Sequence, residues 1–310
     1  MRRAVLLAVA AAMGATPLAA QRTHALIITG LGGEPTYSAA FAEQGAALHR
    51  AARTQWRVAD SSLIWLAEDP SRDQQRIGGR STREAVAAAF LAVAGRVAPG
   101  DLVVIVLIGH GSGERAQSRV NLPGADPTAA DFAGWIGGFA KQTVVLVVAA
   151  SGSGDFVETV RGPGRVVITA TKSSFERNES IFAQQFVRGL TTAEADADKD
   201  GRLTVMESFG YAVREVARVY TDEQKLLTEH AVVSDSVLAA RTVYAATVSS
   251  GDPRIVALVA ERKAIEDELA SLRARKATMP PVEYDRELER LLVAMAEKTQ
   301  AINALGGGRP

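Results

Sequence analysis

The chain has 310 residues, and its 35 Lys and Arg balance its 35 Asp and Glu, so the formal net charge at pH 7 is zero. This balance argues against nucleic acid or an anionic membrane surface as the partner. The sequence contains no cysteine, which excludes disulfides, thiolate metal sites and the lipid-modified cysteine of bacterial lipoproteins.

The first 20 residues, MRRAVLLAVAAAMGATPLAA, have the pattern of a secretory signal peptide: two arginines, an apolar stretch and small residues at the end. We expect cleavage after Ala20 and export to the periplasm or the medium. No later segment has the roughly 18 uninterrupted apolar residues of a spanning helix, so we expect no membrane span. The predicted boundaries are 1–20 for the signal peptide, 21–250 for an α/β domain, 251–305 for a helical hairpin and 306–310 for a disordered tail.

Four short apolar runs rich in β-branched residues predict strands at 25–30, 102–109, 144–150 and 166–171. Nearly continuous apolar runs are typical of strands that are buried on both faces of a parallel sheet. Helical patterns occupy 37–52 and 81–97, and Ser81-x-x-Glu84 has the spacing of a capping box. Alternating strands and helices predict an α/β sandwich, with chemistry at the carboxyl ends of its strands.

Two of these strand ends carry residues that can do chemistry. GHGSG follows the second strand and contains His110, whereas AASGSG closes the third and contains Ser151. A lone histidine or a glycine and serine turn is commonly structural. At neighbouring strand ends of one sheet, however, the two residues form a candidate base and nucleophile. The α/β-hydrolase motif G-x-S-x-G is absent around Ser151.

DLVVIVLIGHGSG followed by TVVLVVAASGSGDF resembles the caspase and legumain clan of cysteine peptidases. In that clan a histidine in an H-G context follows one strand, and the nucleophilic cysteine follows the next strand, commonly as A-C-x-S-G. The resemblance extends through NLPGADPTAADFAGWI, VVITATKSSFERN and DADKDGRLTVMESF, and it indicates a bacterial, exported, legumain-like branch. It implies a caspase-like three-layer α/β sandwich with a mostly parallel sheet, followed by a C-terminal α-helical hairpin.

The same resemblance implies roles for individual residues. His110 takes the position of the base, Gly111 is the candidate oxyanion donor, and Ser151 takes the position of the cysteine. The loop after the fourth strand forms part of the substrate pocket in this clan, which makes candidates of four residues: Ser173, Ser174, Arg177 and Asn178. The alternative is that these loop residues are simply solvated.

Serine at the nucleophile position is a departure from the clan. A thiol with a pKa of about 8.5 is readily held as thiolate beside a histidine, whereas a serine hydroxyl needs a base oriented by a third group. Asp155 is close to Ser151 in the chain, but the sequence does not place it on His110. We therefore expect a non-proteolytic module with a protein or peptide ligand. An active peptidase or hydrolase using a Ser151/His110 dyad is the alternative.

DADKDGRLTVME, residues 196–207, matches the twelve-residue EF-hand calcium loop. Gly201 provides the turn, and the expected oxygen ligands in loop order are Asp196, Asp198, Asp200, the carbonyl of Arg202, Thr204 and Glu207. The alternative is that Thr204-x-x-Glu207 is only a helix capping box beside a solvated turn. Because the loop is single and the incoming helix short, we expect weak calcium binding, with a Kd of about 0.1–1 mM.

The C-terminal part has a different pattern. Apolar residues at three- and four-residue spacing occur on both sides of TMPP, first from Ile255 to Leu272, interrupted by Arg262, and then from Tyr284 to Ile302. The prolines predict the end of one helix and the start of another. This antiparallel hairpin either covers its own sheet domain or mediates self-association or partner binding.

Overall fold

The computed structural model describes residues 21–114, 117–197, 202–244 and 253–305. The predicted signal peptide and the predicted tail lie outside the described residues. Nine strands occur in the described parts of the chain: β1 (Thr23–Thr29), β2 (Leu63–Ala67), β3 (Gly79–Arg80), β4 (Leu102–Ile108), β5 (Gly111–Glu114), β6 (Gln117–Val120), β7 (Thr143–Ala149), β8 (Arg165–Thr169) and β9 (Val232–Val233).

Seven of these strands form one sheet in the order β3-β2-β1-β4-β7-β8-β9. Every neighbouring pair is parallel except β8 and β9, which are antiparallel. The remaining two strands, β5 and β6, form a separate antiparallel hairpin. The four apolar runs predicted from the sequence are β1, β4, β7 and β8, and they lie in the middle of the sheet, where both faces of a strand are covered.

The described α-helices are α1 (Pro35–Thr54), α2 (Arg83–Ala94), α3 (Ala129–Ile136), α4 (Asp155–Val160), α5 (Phe182–Thr191), α6 (Val205–Asp222), α7 (Ser236–Arg241), α8 (Pro253–Ala274) and α9 (Pro281–Leu305). Helices α1, α5, α6 and α7 pack on one face of the sheet, and α2, α3 and α4 pack on the other. Successive residues of β1 alternate between the two hydrophobic cores, with Ile27 in one core and Leu26 and Ile28 in the other. The α/β class, the three layers and the mostly parallel sheet predicted from the sequence are confirmed.

The predicted capping box at Ser81 is wrong, because Thr82 is the N-cap of α2. Thr82 accepts a hydrogen bond from Ala85 N through its side chain. The buried Ser81 hydroxyl instead donates to Thr29 O at 2.8 Å. The Ser81 side chain therefore binds the end of β1, and the next residue, Thr82, caps the helix.

The C-terminal hairpin is confirmed, with its two long helices separated by a 3₁₀ turn at Lys276–Thr278. Its hydrophobic cluster draws, among the described residues, only on the hairpin itself: Ile265, Leu269, Leu272, Met279, Tyr284, Leu288 and Leu291. The described apolar side chains of this cluster thus pack within the hairpin. None of the described helices is both long and apolar enough to cross a membrane.

Candidate functional site

The two predicted catalytic positions lie at the same edge of the sheet. Strands β4 and β7 are parallel neighbours, and Ile108 of β4 is in register with Ala149 of β7. His110 and Ser151 each follow by two residues. The sheet therefore brings together the two strand ends that the sequence singled out, as the rule for parallel sheets requires.

The hydroxyl of Ser151 is directed at the main chain. Ser151 is only 6% exposed, and its Oγ donates a hydrogen bond to Gly111 O at 3.2 Å. Gly111 N, the candidate oxyanion donor, in turn lies 3.4 Å from Ser151 Oγ. A β-carbon at position 111 would lie 2.2 Å from Ser151 O, so the close approach of these segments requires glycine. Both hydrogen bonds are long, and together they tie the hydroxyl to the start of β5.

His110 is held by aromatic contacts. Its ring lies edge-on to Tyr37 and Phe41 of α1, with centroid distances of 4.7 and 5.1 Å. Within the described residues, the ring makes no hydrogen bond to Ser151 or to a carboxylate. The third member that orients the base of a serine hydrolase is therefore absent from the described surroundings of His110.

Asp155, the acidic residue next to Ser151 in the sequence, is the first residue of α4. Its amide donates to Ser118 Oγ at 3.3 Å. One carboxylate oxygen, Oδ2, is buried without a hydrogen-bond partner among the described residues. No contact joins Asp155 to the His110 ring in this part of the chain, so the sequence neighbour of Ser151 does not act as the orienting acid here.

The turn that carries Ser151 is fixed by buried hydrogen bonds. Gly152 has a φ of +62°, in the left-handed region that glycine adopts at little cost. Its amide donates to Glu176 O at 2.7 Å, and its carbonyl accepts from Ser118 Oγ at 2.5 Å. Ser153 N donates to Thr171 Oγ1 at 2.8 Å. Strand β6 and the loop after β8 therefore both hold this turn.

Three of the four predicted pocket residues hydrogen-bond within their own loop or to β5. Arg177 donates through Nε to Ser174 O at 3.3 Å, and its guanidinium also donates to Gly113 O. Ser174 is buried, and Ser173 Oγ accepts from Phe175 N at 3.3 Å. Asn178 is exposed. The structure thus places Arg177 as a clamp between the loop and β5.

A pair that the sequence did not predict, Glu176 and His230, fastens the other side of this loop. Glu176 Oε1 lies 2.6 Å from His230 Nδ1, and its carboxylate also accepts from His230 N and Lys172 N, both at 3.1 Å. Burial raises the pKa of Glu176, but the hydrogen bonds from Lys172 and His230 outweigh it and hold the pKa below its ordinary value. The partners are 54 residues apart, so no local pattern indicates the pair.

The carboxylate of Glu229, the residue before His230, caps the start of helix α5 from a distant part of the chain. Its carboxylate accepts from Ser180 Oγ at 2.5 Å, Ile181 N at 3.0 Å and Phe182 N at 3.3 Å. These amides belong to the helix start, whose donors lack partners inside the helix. Burial raises the pKa of Glu229, with the hydrogen bonds opposing the shift. The segment 229–230 therefore fixes both the loop and the helix that follows it.

The rim beside His110 is acidic. A hydrogen bond to Glu179 and the charges of Glu179 and Glu34 raise the pKa of Tyr37, the residue that lies against His110. Phe175, in the neighbouring loop, is 72% exposed. The sequence analysis did not predict Tyr37 as a site residue. Its position in the first turn of α1, the helix that follows β1, is a signal that could have indicated it.

The predicted calcium loop is described only in part, because Asp198, Asp200 and Gly201 lie outside the described residues. Glu207 forms a capping box with Thr204 at the start of α6, which the alternative interpretation of this motif predicted, and calcium binding stays a prediction. The other Glu207 oxygen accepts from Ala197 N at 3.1 Å. The Glu207 carboxylate therefore joins the described start of this segment to the first turn of α6. Among the described residues, no group of three possible metal ligands occurs.

The helices around the loop match the sequence analysis. Helix α5 ends at Thr191, and a 3₁₀ turn at Ala193–Ala195 separates it from Asp196. Helix α6 starts directly after Thr204 and packs beside α5. The incoming helix is therefore short, as expected, and stops before the loop.

An open cavity of about 340 Å³ lies elsewhere, beside the amino end of β8, where it is lined by Arg161, Gly162, Pro163, Arg165, Ser234 and Asp235. Strand β8 runs parallel to β7, whose opposite end carries Ser151. The cavity is therefore not part of the candidate site. Arg161 and Arg165 already pair with Glu158 and Val160 O respectively.

Comparison with known proteins finds similarity in structure but not in sequence. No protein-family model matches the chain, and no curated protein does. Similar solved structures include caspase-1 from Spodoptera frugiperda, with 10% identity over 70% of this chain and 89% of the caspase chain and a TM-score of 0.45. Protein GSU0716 from Geobacter sulfurreducens has 13% identity over 68% of this chain and 92% of its own, with a TM-score of 0.40. Both TM-scores are below 0.5, so the description of the architecture rests on the sheet topology of this chain.

Proposed function

We propose that this chain is an exported protein that uses a caspase-like fold for binding and not for peptide hydrolysis, with a calcium loop that stabilises it. The observation that carries the proposal is the environment of Ser151. Its hydroxyl donates to Gly111 O, while the described surroundings of His110 provide aromatic contacts and no orienting acid.

The chemistry of serine supports this proposal. Removing a proton from a hydroxyl needs a base within hydrogen-bond reach of about 2.6–3.2 Å, and that base must itself be oriented. At position 151 the hydroxyl proton is committed to a carbonyl oxygen instead. A cysteine on the same turn would need less help, since its thiol ionises far more easily. The turn is thus poorly suited to forming an alkoxide.

A protein or peptide is the ligand class that we propose. The loop after β8 presents an exposed aromatic ring, Phe175, and also carries Glu179, which lies beside Tyr37. Aromatic side chains are enriched at protein interfaces, whose rims are polar. Self-association through the hairpin of α8 and α9 is a second proposed contact, which size-exclusion chromatography with light scattering tests directly.

The test of the unreactive site is labelling of the purified mature chain, residues 21–310, by a fluorophosphonate probe that reacts with activated serines. We expect no labelling of the wild type, because no base among the described residues contacts the Ser151 hydroxyl to activate it. Ser151→Ala is the background control. Ser153→Ala, two residues along the same turn, is the matched control for any labelling that does occur.

Wild-type labelling that disappears in Ser151→Ala and persists in Ser153→Ala would contradict the proposal and put a Ser151/His110 hydrolase in its place. Ser151→Cys provides the complementary measurement. Peptidase activity gained by this variant on a mixed peptide library, together with an unlabelled wild type, would support a site silenced at one atom.

Calcium binding is the second part of the proposal. It is supported by the loop spacing and by the hydrogen bond from Ala197 N to Glu207, which brings the first and last parts of the loop together. The residues that would hold the ion are those of the twelve-residue pattern. When bound, calcium would neutralise the carboxylates of the loop and join its two ends.

Isothermal titration calorimetry of the mature chain with CaCl₂ tests this part. We expect a single binding event with a Kd of about 0.1–1 mM. Asp198→Ala, which removes an oxygen ligand, should abolish the heat while leaving the Thr204 and Glu207 capping box intact. Asp222→Ala, at the far end of α6, is the matched control. Absence of calcium heat in the wild type, with a melting temperature indifferent to chelator, would contradict the calcium proposal.

A further inference from the structure

Three aromatic rings meet at the carboxyl edge of the sheet. Tyr37 and Phe41 lie about one turn apart on α1, with ring centroids 6.3 Å apart and an interplanar angle of 30°. The His110 ring, after the end of β4, lies edge-on to both of them. Phe41 is 8% exposed, whereas Tyr37 and His110 are half-buried. These three side chains therefore form a partly open aromatic surface, which we call the aromatic corner.

Two carboxylates from different elements border the aromatic corner. Glu179, in the loop after β8, interacts with the Tyr37 hydroxyl, and the charges of Glu179 and Glu34 both act on Tyr37. Both glutamates are exposed. Glu34 is the N-cap residue of α1, but its side chain makes no capping hydrogen bond. The aromatic corner is thus bordered by negative charge on the side of α1 and on the side of the loop.

Hydrogen bonds hold the segments that carry the aromatic corner. Ser38 Oγ, in the first turn of α1, donates to Glu68 Oε2 at 2.8 Å. Asn121 joins the segment after β1 to the segment after β4, because its amide donates to His110 O and its carbonyl accepts from Leu31 N, both at 2.9 Å. A site whose parts are already in place loses less conformational freedom when a ligand binds.

A guanidinium group is the ligand chemistry that this arrangement suits. The face of an aromatic ring attracts a cation, and a nearby carboxylate adds a Coulomb attraction. A guanidinium stacks on aromatic rings and has N–H donors for carboxylate oxygens, whereas a quaternary ammonium group has no such donors. The charge of Lys225 also interacts with Glu179, but its ammonium pairs with Glu223 at 2.7 Å.

We propose that the aromatic corner, together with Glu34 and Glu179, binds an arginine side chain of the protein or peptide ligand. This inference rests on the proposed binding function and names the chemistry of the ligand. Gly111, the residue after His110, contacts Ser151. The arginine therefore binds beside the position that the peptidase nucleophile takes in the related clan.

Pentapeptide pools test the proposal on the ligand side. The central residue is arginine, lysine, citrulline or glutamate, the other positions are an equimolar mixture, and a neutral dye at the amino end reports binding by fluorescence polarisation. We expect the mature wild type to bind the arginine pool about tenfold more tightly than the citrulline pool, because citrulline has a similar shape without the charge. The glutamate pool should bind most weakly. Choline chloride should not displace the arginine pool.

Variants of the mature chain test the proposal on the protein side. Tyr37→Leu should weaken binding of the arginine pool about three- to tenfold, with little effect on the citrulline pool. Tyr37→Phe keeps the ring and should retain most of the affinity. Glu179→Gln should weaken the arginine pool about two- to fivefold at low salt, and less in about 1 M NaCl, where exposed charges are screened. Glu43→Gln, exposed further along α1, is the matched control.

Three results would overturn the arginine site and leave peptide binding in place: equal affinity for the arginine and citrulline pools, displacement by choline, or an equal loss for both pools in a Tyr37→Leu variant that melts like the wild type. If no pool binds the wild type, the arginine site and the proposed peptide ligand are both overturned. Cleavage of the pools that is lost in Ser151→Ala would overturn the non-proteolytic function, while the comparison of pools still decides the arginine site.

Discussion

At the scale of single residues, the chemistry that the candidate site can perform depends on the hydrogen bonds that each polar group already makes. The Ser151 hydroxyl donates to a main-chain carbonyl, and the Arg177 guanidinium clamps its loop to β5. A polar atom that is satisfied inside the fold is less available to a substrate, because breaking its bond costs free energy. Residue types that suggest catalysis in the sequence thus contribute to the architecture of this edge.

The Glu176 and His230 pair gives a prediction about pH. A carboxylate whose pKa is lowered in the folded state stabilises the fold above its unfolded pKa of about 4.3, and this stabilisation is lost as the pH falls through the folded pKa. Glu176→Gln should therefore lower the free energy of unfolding by about 1–3 kcal/mol at neutral pH, since its side chain is only 12% exposed. The difference from the wild type should shrink towards pH 3. Urea denaturation across this pH range measures it.

Glu158→Gln is the matched control for this prediction, because Glu158 pairs with Arg161 on the surface of the protein. Exposed pairs contribute little, so this variant should resemble the wild type at every pH. A Glu176→Gln variant whose loss of stability is the same at pH 7 and pH 3 would show that packing, and not the charge of Glu176, stabilises the loop.

At the scale of elements, the hairpin of α8 and α9 differs from the other helices in what it covers. Helices of the sheet domain bury their apolar faces against strands, whereas α8 and α9 bury theirs against each other. Two paired helices with a short connection form a unit with its own contacts. We therefore expect the hairpin to open without unfolding of the sheet, as locally stable units in proteins do.

Neighbouring leucines on α9 test this expectation. Leu291 is 2% exposed in the hairpin cluster, whereas Leu292 is 41% exposed. Leu291→Ala should destabilise the hairpin by about 2–5 kcal/mol, the cost of removing a buried leucine side chain. In hydrogen exchange followed by mass spectrometry, peptides of α8 and α9 should exchange faster and peptides of β4 and β7 should not. Leu292→Ala should leave both sets unchanged, and faster exchange throughout the sheet in Leu291→Ala would contradict an independent hairpin.

At the scale of the whole molecule, the seven-stranded sheet decides which distant segments meet. Parallel order places the ends of β4, β7 and β8 side by side, so His110, Ser151 and the loop that follows β8 share one edge. The segment before α6 contacts other parts of the chain: residues 203–205 pair with 242–244, and Arg202 lies 3.6 Å from Glu266 of α8. Because the formal net charge is zero, the charge of each surface is set by its local groups, such as Glu34 and Glu179 beside Tyr37.

The sequence by itself determined the features that arise from local patterns. Continuous β-branched runs predicted the central strands, because such runs are stable only when both faces are covered. Pro281 marked the start of the last helix, since proline is favoured at the first helical turn and breaks a helix elsewhere. The spacing of Thr204 and Glu207 predicted the cap of α6, and both groups lie within one turn of each other. The positions of His110 and Ser151 at strand ends were also predictable, because each residue directly follows one of these apolar runs.

Only the tertiary structure decided what these groups contact. The cap of α2 moved from Ser81 to Thr82 because the Ser81 hydroxyl meets Thr29 O, 52 residues away. Residues far apart in the chain likewise meet in the pairing of Glu176 with His230, in the aromatic contacts of His110 and in the hydrogen bond from Tyr244 N to Leu203 O. Periodicity reports the face on which a residue lies, but a hydrogen bond requires donor and acceptor within about 3 Å, and the packing of the whole chain sets that distance.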